Sequence, residues 1–189
     1  MTSMKGSKTE VNILTAFCGE SQARNRYTFA ASVATKEGYV KIASIFTETA
    51  DQEKEHAKRL FRFLEGGEAT ITAAFPAGLK EDTSSQLIAA AAGEHFEWTS
   101  MYPEYAKIAR EEGFKLIGDV MESIAVAEKY HERRYLELLG EIKDGTHFKR
   151  PKKVTWRCRN CGYIHEGTEP PTACPACAHP PAYFEFLHD

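Results

Sequence analysis

The feature that most constrains this 189-residue chain is a set of acidic side chains within apolar helical stripes. Four segments repeat apolar residues at the three- and four-residue spacing of an amphipathic helix, namely about 7–37, 39–65, 83–113 and 114–140. Each apolar face carries a glutamate near its middle, and these are Glu20, Glu53, Glu94 and Glu128. Because an unpartnered buried carboxylate costs several kcal/mol, we expect cations to neutralise them.

Two of the four segments also carry a histidine three residues after the glutamate. Glu53 with His56, and Glu128 with His131, can each present an oxygen and an imidazole on one helix face. The two pairs lie 75 positions apart, and the other two glutamates lie 74 apart. Ferritin-like di-metal sites take one glutamate from each of two helices and a Glu-x-x-His pair from each of the other two. The spacing predicts such a site but does not separate iron from manganese.

The connections between segments predict a ferritin-like four-helix bundle in a mainly α chain. The turns at Gly38 and Gly113 are so short that the helices they join must be antiparallel neighbours. The connector 68–82 is long enough to return along the whole bundle. A capping box beginning at Thr83 predicts the start of the third helix, and Pro103 predicts a kink within it.

The composition changes towards the C-terminus, where two Cys-x-x-Cys pairs lie among prolines and aromatic residues. The four cysteines are Cys158, Cys161, Cys174 and Cys177. Two such pairs predict a tetrahedral thiolate site, which suits zinc or a single iron. The segment has too little core to fold without metal. We therefore expect the bundle at 1–146, a linker at 147–153 and a small β/loop metal module at 154–189.

Composition and charge exclude several classes of function. A formal net charge of -3 gives no basic field for nucleic acid, and no apolar run approaches the roughly 20 residues of a membrane span. The absence of a signal-like start predicts a cytoplasmic protein, where clustered thiols hold metal more often than they form disulfides. We expect the isolated Cys18 to be a buried apolar residue. Five other histidines are predicted at the surface, namely His95, His147, His165, His179 and His188.

Three further polar side chains belong to the predicted metal layer. Glu97 lies three residues after Glu94 and has no counterpart in the first helix. It is either a ligand used in one oxidation state or a residue at the rim of the site. Tyr27 and Tyr102 follow Glu20 and Glu94 on the same helix faces, so they either donate hydrogen bonds near the metals or belong to the aromatic core.

Five parts of the chain match one known family together. They are Gly19–Tyr27, Asp51–Ala57, Ala92–His95, Glu128–His131, and Trp156–Tyr163 with Cys174–Cys177. Over essentially its full length the chain resembles the rubrerythrins. The resemblance implies a di-iron site with seven ligands, namely Glu20, Glu53, His56, Glu94, Glu97, Glu128 and His131. It also implies that one iron exchanges Glu97 for His56 on reduction, and that a rubredoxin-like module holds a third iron. A short gap between the cysteine pairs and Ala178 in place of a glycine leave zinc open there.

The resemblance further implies a non-haem iron peroxidase that protects against oxidative stress by reducing hydrogen peroxide to water. Electrons would come from an NAD(P)H-dependent reductase, or from rubredoxin, through the thiolate iron. Family members form at least homodimers, in which the module of one subunit serves the bundle of the other. We expect His56, Glu97, Tyr27 and Tyr102 to take part in catalysis by ligand exchange, hydrogen bonding or proton supply. Two alternatives remain: a ferroxidase that handles iron and O2, and a zinc-ribbon interaction module on a helical scaffold.

Overall fold

The structure is a computed structural model that describes residues 3–187, so His188 lies outside the described residues. Five α-helices form most of it: α1 (Lys8–Lys36), α2 (Val40–Phe61), α3 (Thr83–Phe96), α4 (Tyr102–Glu111) and α5 (Lys115–Lys143). A five-residue π-helix, Glu97–Met101, joins α3 and α4 into one rod. The predicted mainly α, ferritin-like four-helix bundle is confirmed, with that rod as the third of its helices.

The bundle is built from two antiparallel helix pairs. Gly38 and Gly113 adopt positive φ angles of 84° and 89°, which let the chain reverse between α1 and α2 and between α4 and α5. Within the pairs, α1 packs against α2, and α5 packs against α3 and α4. The connector between the pairs has no helix or strand of its own over 66–80.

Two apolar clusters fill the bundle, one towards each end. One cluster includes Tyr27, Phe46, Leu87, Tyr135 and Leu138. The other includes Ile13, Leu60, Tyr102, Met121 and Ile124. On every helix or rod, the glutamate singled out from the sequence lies between residues of the two clusters. The apolar packing that stabilises the fold therefore encloses the acidic layer from both sides.

Helix boundaries differ from the sequence prediction at three places. Asp82, not Thr83, caps α3, because its carboxylate accepts the Ser85 N–H at 2.8 Å. The second helix ends at Phe61, four residues before its predicted end at Glu65. Pro103 lies in the first turn of α4, directly after the π-helix, so the rod has a π-helical irregularity that was not predicted, and the kink at Pro103 stays a prediction.

The C-terminal module is a three-stranded antiparallel sheet in the order β2–β1–β3, formed by Val154–Cys158 (β1), Ile164–Gly167 (β2) and Phe184–Phe186 (β3). Trp156 is fully buried in its centre, and its indole N–H donates to the Gly167 carbonyl at 2.9 Å. Strand β2 was not anticipated from the sequence. The boundaries 1–146, 147–153 and 154–189 stay a prediction.

The module contacts its own bundle through a network of charged side chains. Arg159 donates to Ser44 Oγ on α2 at 2.6 Å. Glu141 on α5 accepts from His147 Nδ1 and from Arg150 Nη2, each at 2.9 Å. The predicted surface position of His147 is wrong, since its ring is buried against Tyr39 and Phe148. Within residues 3–187, no helix is both long and apolar enough to cross a membrane.

Candidate metal centres

The acidic layer of the bundle contains two groups of four potential ligands that share two members. One group is Glu20, Glu53, His56 and Glu128, and the other is Glu53, Glu94, Glu128 and His131. In each group the four ligand atoms lie within 4.8 Å of one another. Two positions with shared carboxylates are the layout of a carboxylate-bridged metal pair.

The shared carboxylates face one histidine with each oxygen. Glu53 places Oε2 3.1 Å from His56 Nδ1 and Oε1 3.1 Å from His131 Nδ1. Glu128 places Oε1 2.9 Å from His56 Nδ1 and Oε2 2.7 Å from His131 Nδ1. Glu20 and Glu94 each approach one histidine only, His56 at 3.8 Å and His131 at 3.6 Å. Glu53 and Glu128 therefore each face both histidines, and we call them the bridging glutamates. Glu20 and Glu94 each face one histidine, and we call them the terminal glutamates.

Unpaired polar atoms at the centre of this layer test whether the residues fit a metal. Six of its buried atoms have no hydrogen-bond partner, namely Glu20 Oε2, Glu53 Oε1, Glu94 Oε2, both Glu128 oxygens and His131 Nδ1. Such atoms are costly to bury, and an imidazole nitrogen holds one proton at most. A pair of divalent cations would satisfy all six, so the donor set fits a di-metal centre.

The electrostatics of the protein atoms point the same way. Burial, followed by repulsion from Glu53, raises the pKa of Glu20 to about 8, and burial raises the pKa of Glu94 well above its usual range. Burial opposes protonation of His131, but the adjacent carboxylates of Glu128 and Glu53 outweigh it and raise its pKa to about 12. Without metal, the layer must hold protons to compensate its negative charge.

Both predicted tyrosines donate to a terminal glutamate, and they do so across the bundle. The Tyr27 hydroxyl on α1 donates to Glu94 on α3, and the Tyr102 hydroxyl on α4 donates to Glu20 on α1. Both tyrosines are buried, and burial raises the pKa of each well above its usual range, so both remain protonated donors. The core and hydrogen-bonding roles considered from the sequence therefore coexist.

The π-helix begins at Glu97 and contains one residue more than an α-helical path requires. This extra residue explains why Tyr102 follows Glu94 by eight positions while Tyr27 follows Glu20 by seven. Glu97 belongs to neither ligand group. The histidine of the group that contains Glu20 is His56. Its pKa is raised well above its usual range by burial and then by the nearby Glu20.

One contact of the centre was missed from the sequence. The Nε2–H of His131 donates to Gln52 Oε1 at 3.0 Å, which leaves Nδ1 free to bind metal. Arg134 in turn pairs with Glu48 at 2.9 Å, beside Gln52 on α2. Spacing along α2 gives no signal that Gln52 would meet a histidine from α5. The side chain of His56 is 18% exposed and that of His131 only 3%, so the two positions differ in access.

The four cysteines come together at one end of the module. Sγ of Cys158 lies 3.7 Å from that of Cys177, and Sγ of Cys161 lies 3.6 Å from that of Cys174. These edges fit a tetrahedron with metal–sulfur bonds of about 2.3 Å. The residue directly after each Cys-x-x-Cys pair has a positive φ, and its N–H donates to the carbonyl of the first cysteine of that pair. These residues are Gly162, at 80°, and Ala178, at 59°.

Comparison with known proteins covers both parts of the chain. The family model described as rubrerythrin matches residues 12–139, and that described as the rubrerythrin rubredoxin-like domain matches 156–185. Rubrerythrin of Nitratidesulfovibrio vulgaris is 63% identical over 187 residues, covering 99% of this chain and 98% of the relative. Rubrerythrin of Porphyromonas gingivalis is 61% identical, covering 97% and 92%. The solved structure of fully reduced, all-ferrous nigerythrin aligns with a TM-score of 0.63 and 31% identity, covering 98% of this chain and 92% of that one.

Proposed function

This chain belongs to the rubrerythrin family, and from that premise we propose that it is a non-haem iron peroxidase that reduces hydrogen peroxide to water. The family binds iron, and the described residues contain both a carboxylate–histidine set and a four-cysteine set for it. The observation that carries the proposal is the pair of ligand groups sharing Glu53 and Glu128, in a chain that also holds four convergent thiols.

We assign the first iron position to Glu20 and His56, the second to Glu94 and His131, and both to the bridging glutamates. Iron bound there would supply the two electrons that peroxide reduction consumes. The protein atoms hold the positions at a fixed separation, because each bridging carboxylate faces both histidines. The apolar clusters on either side limit the access of water to the layer from the two ends of the bundle.

Proton supply is the second task of the protein, since reducing peroxide to water consumes two protons. Tyr102 and Tyr27 donate hydrogen bonds to Glu20 and Glu94, so each tyrosine hydroxyl can pass a proton towards a terminal ligand. Glu97 stands beside the first position, and burial followed by the nearby Glu20 raises its pKa well above the usual range. We propose that, with iron bound, Glu97 would take the place of His56 as a ligand of the oxidised first position.

The cysteine module would return electrons to the bundle one at a time. Its hydrogen bond with α2 is at Ser44, nine residues and therefore about 14 Å along the helix from Glu53. The module thus lies at the end of its own bundle, which favours delivery to the bundle of a partner subunit in a homodimer. We place the protein in the cytoplasm, with an NAD(P)H-dependent reductase or rubredoxin as donor.

Stopped-flow mixing of fully reduced protein with hydrogen peroxide tests the proposal. We expect the visible absorption of the oxidised thiolate iron to appear as peroxide is consumed, at a higher rate than with O2. Faster turnover with O2 would favour the ferroxidase alternative. Metal analysis provides a second criterion, because about three irons per chain are expected, whereas one zinc without an iron pair would refute the proposal.

A further inference from the structure

A cavity of about 470 Å³ lies beside the acidic layer, between α1, the connector and the π-helical part of the rod. Its volume is within the roughly 300–1,000 Å³ of small-molecule pockets. Glu97 lines it, and so do Gly19 and Gly93, which directly precede the terminal ligands Glu20 and Glu94. The cavity therefore reaches the acidic layer on the side where Glu97 stands.

The missing side chains of the two glycines keep this space open. A Cβ atom added to Gly93 would meet no atom within 4 Å. One added to Gly19 would lie 3.8 Å from the ring of Phe75, which the connector places over α1. The connector is tied down here, because Gln22 Nε2 donates to the Pro76 carbonyl at 2.9 Å.

The lining of the cavity is partly apolar and partly polar, and its polar side chains include Asn12, Gln22, Arg26 and Glu97. Val11, Phe75 and Phe96 line it and are exposed at 47%, 36% and 57%. Met101 also lines it, whereas Glu97 provides a carboxyl group. Hydrogen peroxide has no apolar part and gains nothing from the apolar side chains. A molecule with a peroxide group at one end and a hydrocarbon group at the other matches both parts.

We propose that this cavity binds alkyl hydroperoxides and that the protein reduces them to alcohols. The inference rests on the proposed function and deepens it by naming a second class of substrate. The reaction is ROOH + 2 e⁻ + 2 H⁺ → ROH + H2O. The O–O bond breaks, the oxygen attached to carbon becomes the alcohol, and the distal oxygen leaves as water. The two electrons are those that the peroxidase cycle already draws from NAD(P)H through the cysteine module.

Cumene hydroperoxide is a suitable probe, because its phenyl group is apolar and its product, 2-phenyl-2-propanol, is stable. Fully reduced holoprotein should convert it to this alcohol, one molecule for every two electrons that the irons give up. Gly93→Leu fills the cavity from the rod, and Gly140→Leu is the matched control, since Gly140 is also helical with open space around it but lies on α5 near the module. Ala74→Leu on the connector is a second filling variant, with exposed Ala69→Leu as its control.

We expect the filling variants to lower kcat/KM for cumene hydroperoxide by at least ~10-fold. The same variants should change kcat/KM for hydrogen peroxide by no more than about twofold. The control variants should change kcat/KM for either substrate by no more than about twofold. Equilibrium dialysis of 2-phenyl-2-propanol against holoprotein gives a readout independent of turnover, and Gly93→Leu should abolish this binding. Circular dichroism and iron content confirm that each variant is folded and loaded.

The outcomes separate the two proposals. Reduction of hydrogen peroxide without reduction of cumene hydroperoxide would overturn the inference and leave the peroxidase proposal intact. Failure with both substrates would overturn both. Equal losses in Gly93→Leu and Gly140→Leu, or alcohol binding that survives in Gly93→Leu, would show that the cavity is not the binding site.

Discussion

Removing the metals should make folding stability strongly dependent on pH, because protons would then replace the cations in the acidic layer. The pKa of Glu20 rises from its usual 4.5 to about 8, chiefly by burial. Between these values the folded chain holds a proton that the unfolded chain has lost. Stability therefore falls as pH rises, with a slope of about 1.4 kcal/mol per pH unit from Glu20 alone.

The other members of the layer do not reverse this sign. The pKa values of Glu94 and Glu97 are also raised, so they add to the fall. The pKa values of His56 and His131 are raised too, and their contribution is complete below the unfolded value of 6.5 and lost as pH rises. The pKa of Glu53 is lowered, because the two adjacent histidines outweigh its burial, and its opposite contribution to stability lies below pH 4.5. From pH 5.5 to 7.5 we expect the raised pKa of Glu20 alone to lower the stability of the metal-free protein by about 2–3 kcal/mol.

Urea unfolding of metal-free protein, followed by circular dichroism at constant ionic strength, measures this loss. Glu20→Gln carries no titrating proton at that position, so its slope should be smaller by about one proton. Metal-loaded protein should behave in the opposite way, since metal binding displaces protons and tightens as pH rises. Metal-free stability that stays level or increases from pH 5.5 to 7.5 would refute the reasoning.

Three further substitutions test single contacts. Ala178→Gly should stabilise the cysteine module by about 0.5–1 kcal/mol, because it relieves a left-handed φ, and Gly162→Ala should destabilise it for the opposite reason. Thermal melting measures both changes, and melting temperatures equal to that of the parent would contradict this reasoning. Gln52→Ala removes the acceptor for His131 Nε2 and should weaken metal affinity about 10- to 100-fold in chelator competition, whereas undiminished affinity would mean that the contact does not orient the ring. Arg159→Ala removes the hydrogen bond between module and bundle and should speed proteolysis of the linker 147–153; a cleavage rate equal to that of the parent would show that the other contacts suffice.

The sequence predicts the acidic layer well because a single physical rule governs it. A helix repeats every 3.6 residues, so a glutamate in an apolar stripe must meet the glutamates of facing stripes. Contacts between helices follow no such rule. The partners of Gln52 and the burial of His147 depend on side chains far away in the chain, and spacing does not encode them. The cavity escaped prediction for a related reason, since the connector that covers it has no periodicity.

The π-helix lies between these two cases. The sequence contains a signal for it, because Glu20 and Glu94 lie 74 positions apart while the two Glu-x-x-His pairs lie 75 apart. Only the structure locates the extra residue between Glu94 and Tyr102. Helical periodicity assumes a constant number of residues per turn, so an inserted residue shifts every later side chain without breaking the apolar pattern.

The unmatched acid at the start of the π-helix, Glu97, also gives the metal centre a direction. Without it, the two halves of the bundle would supply matching ligands, and the first and second positions would be interchangeable. With it, the first position has a spare acid in Glu97 and a neighbouring cavity, while the second is enclosed around His131. A substrate whose two oxygens are chemically different would therefore enter in only one orientation, and the protein would control which oxygen leaves as water.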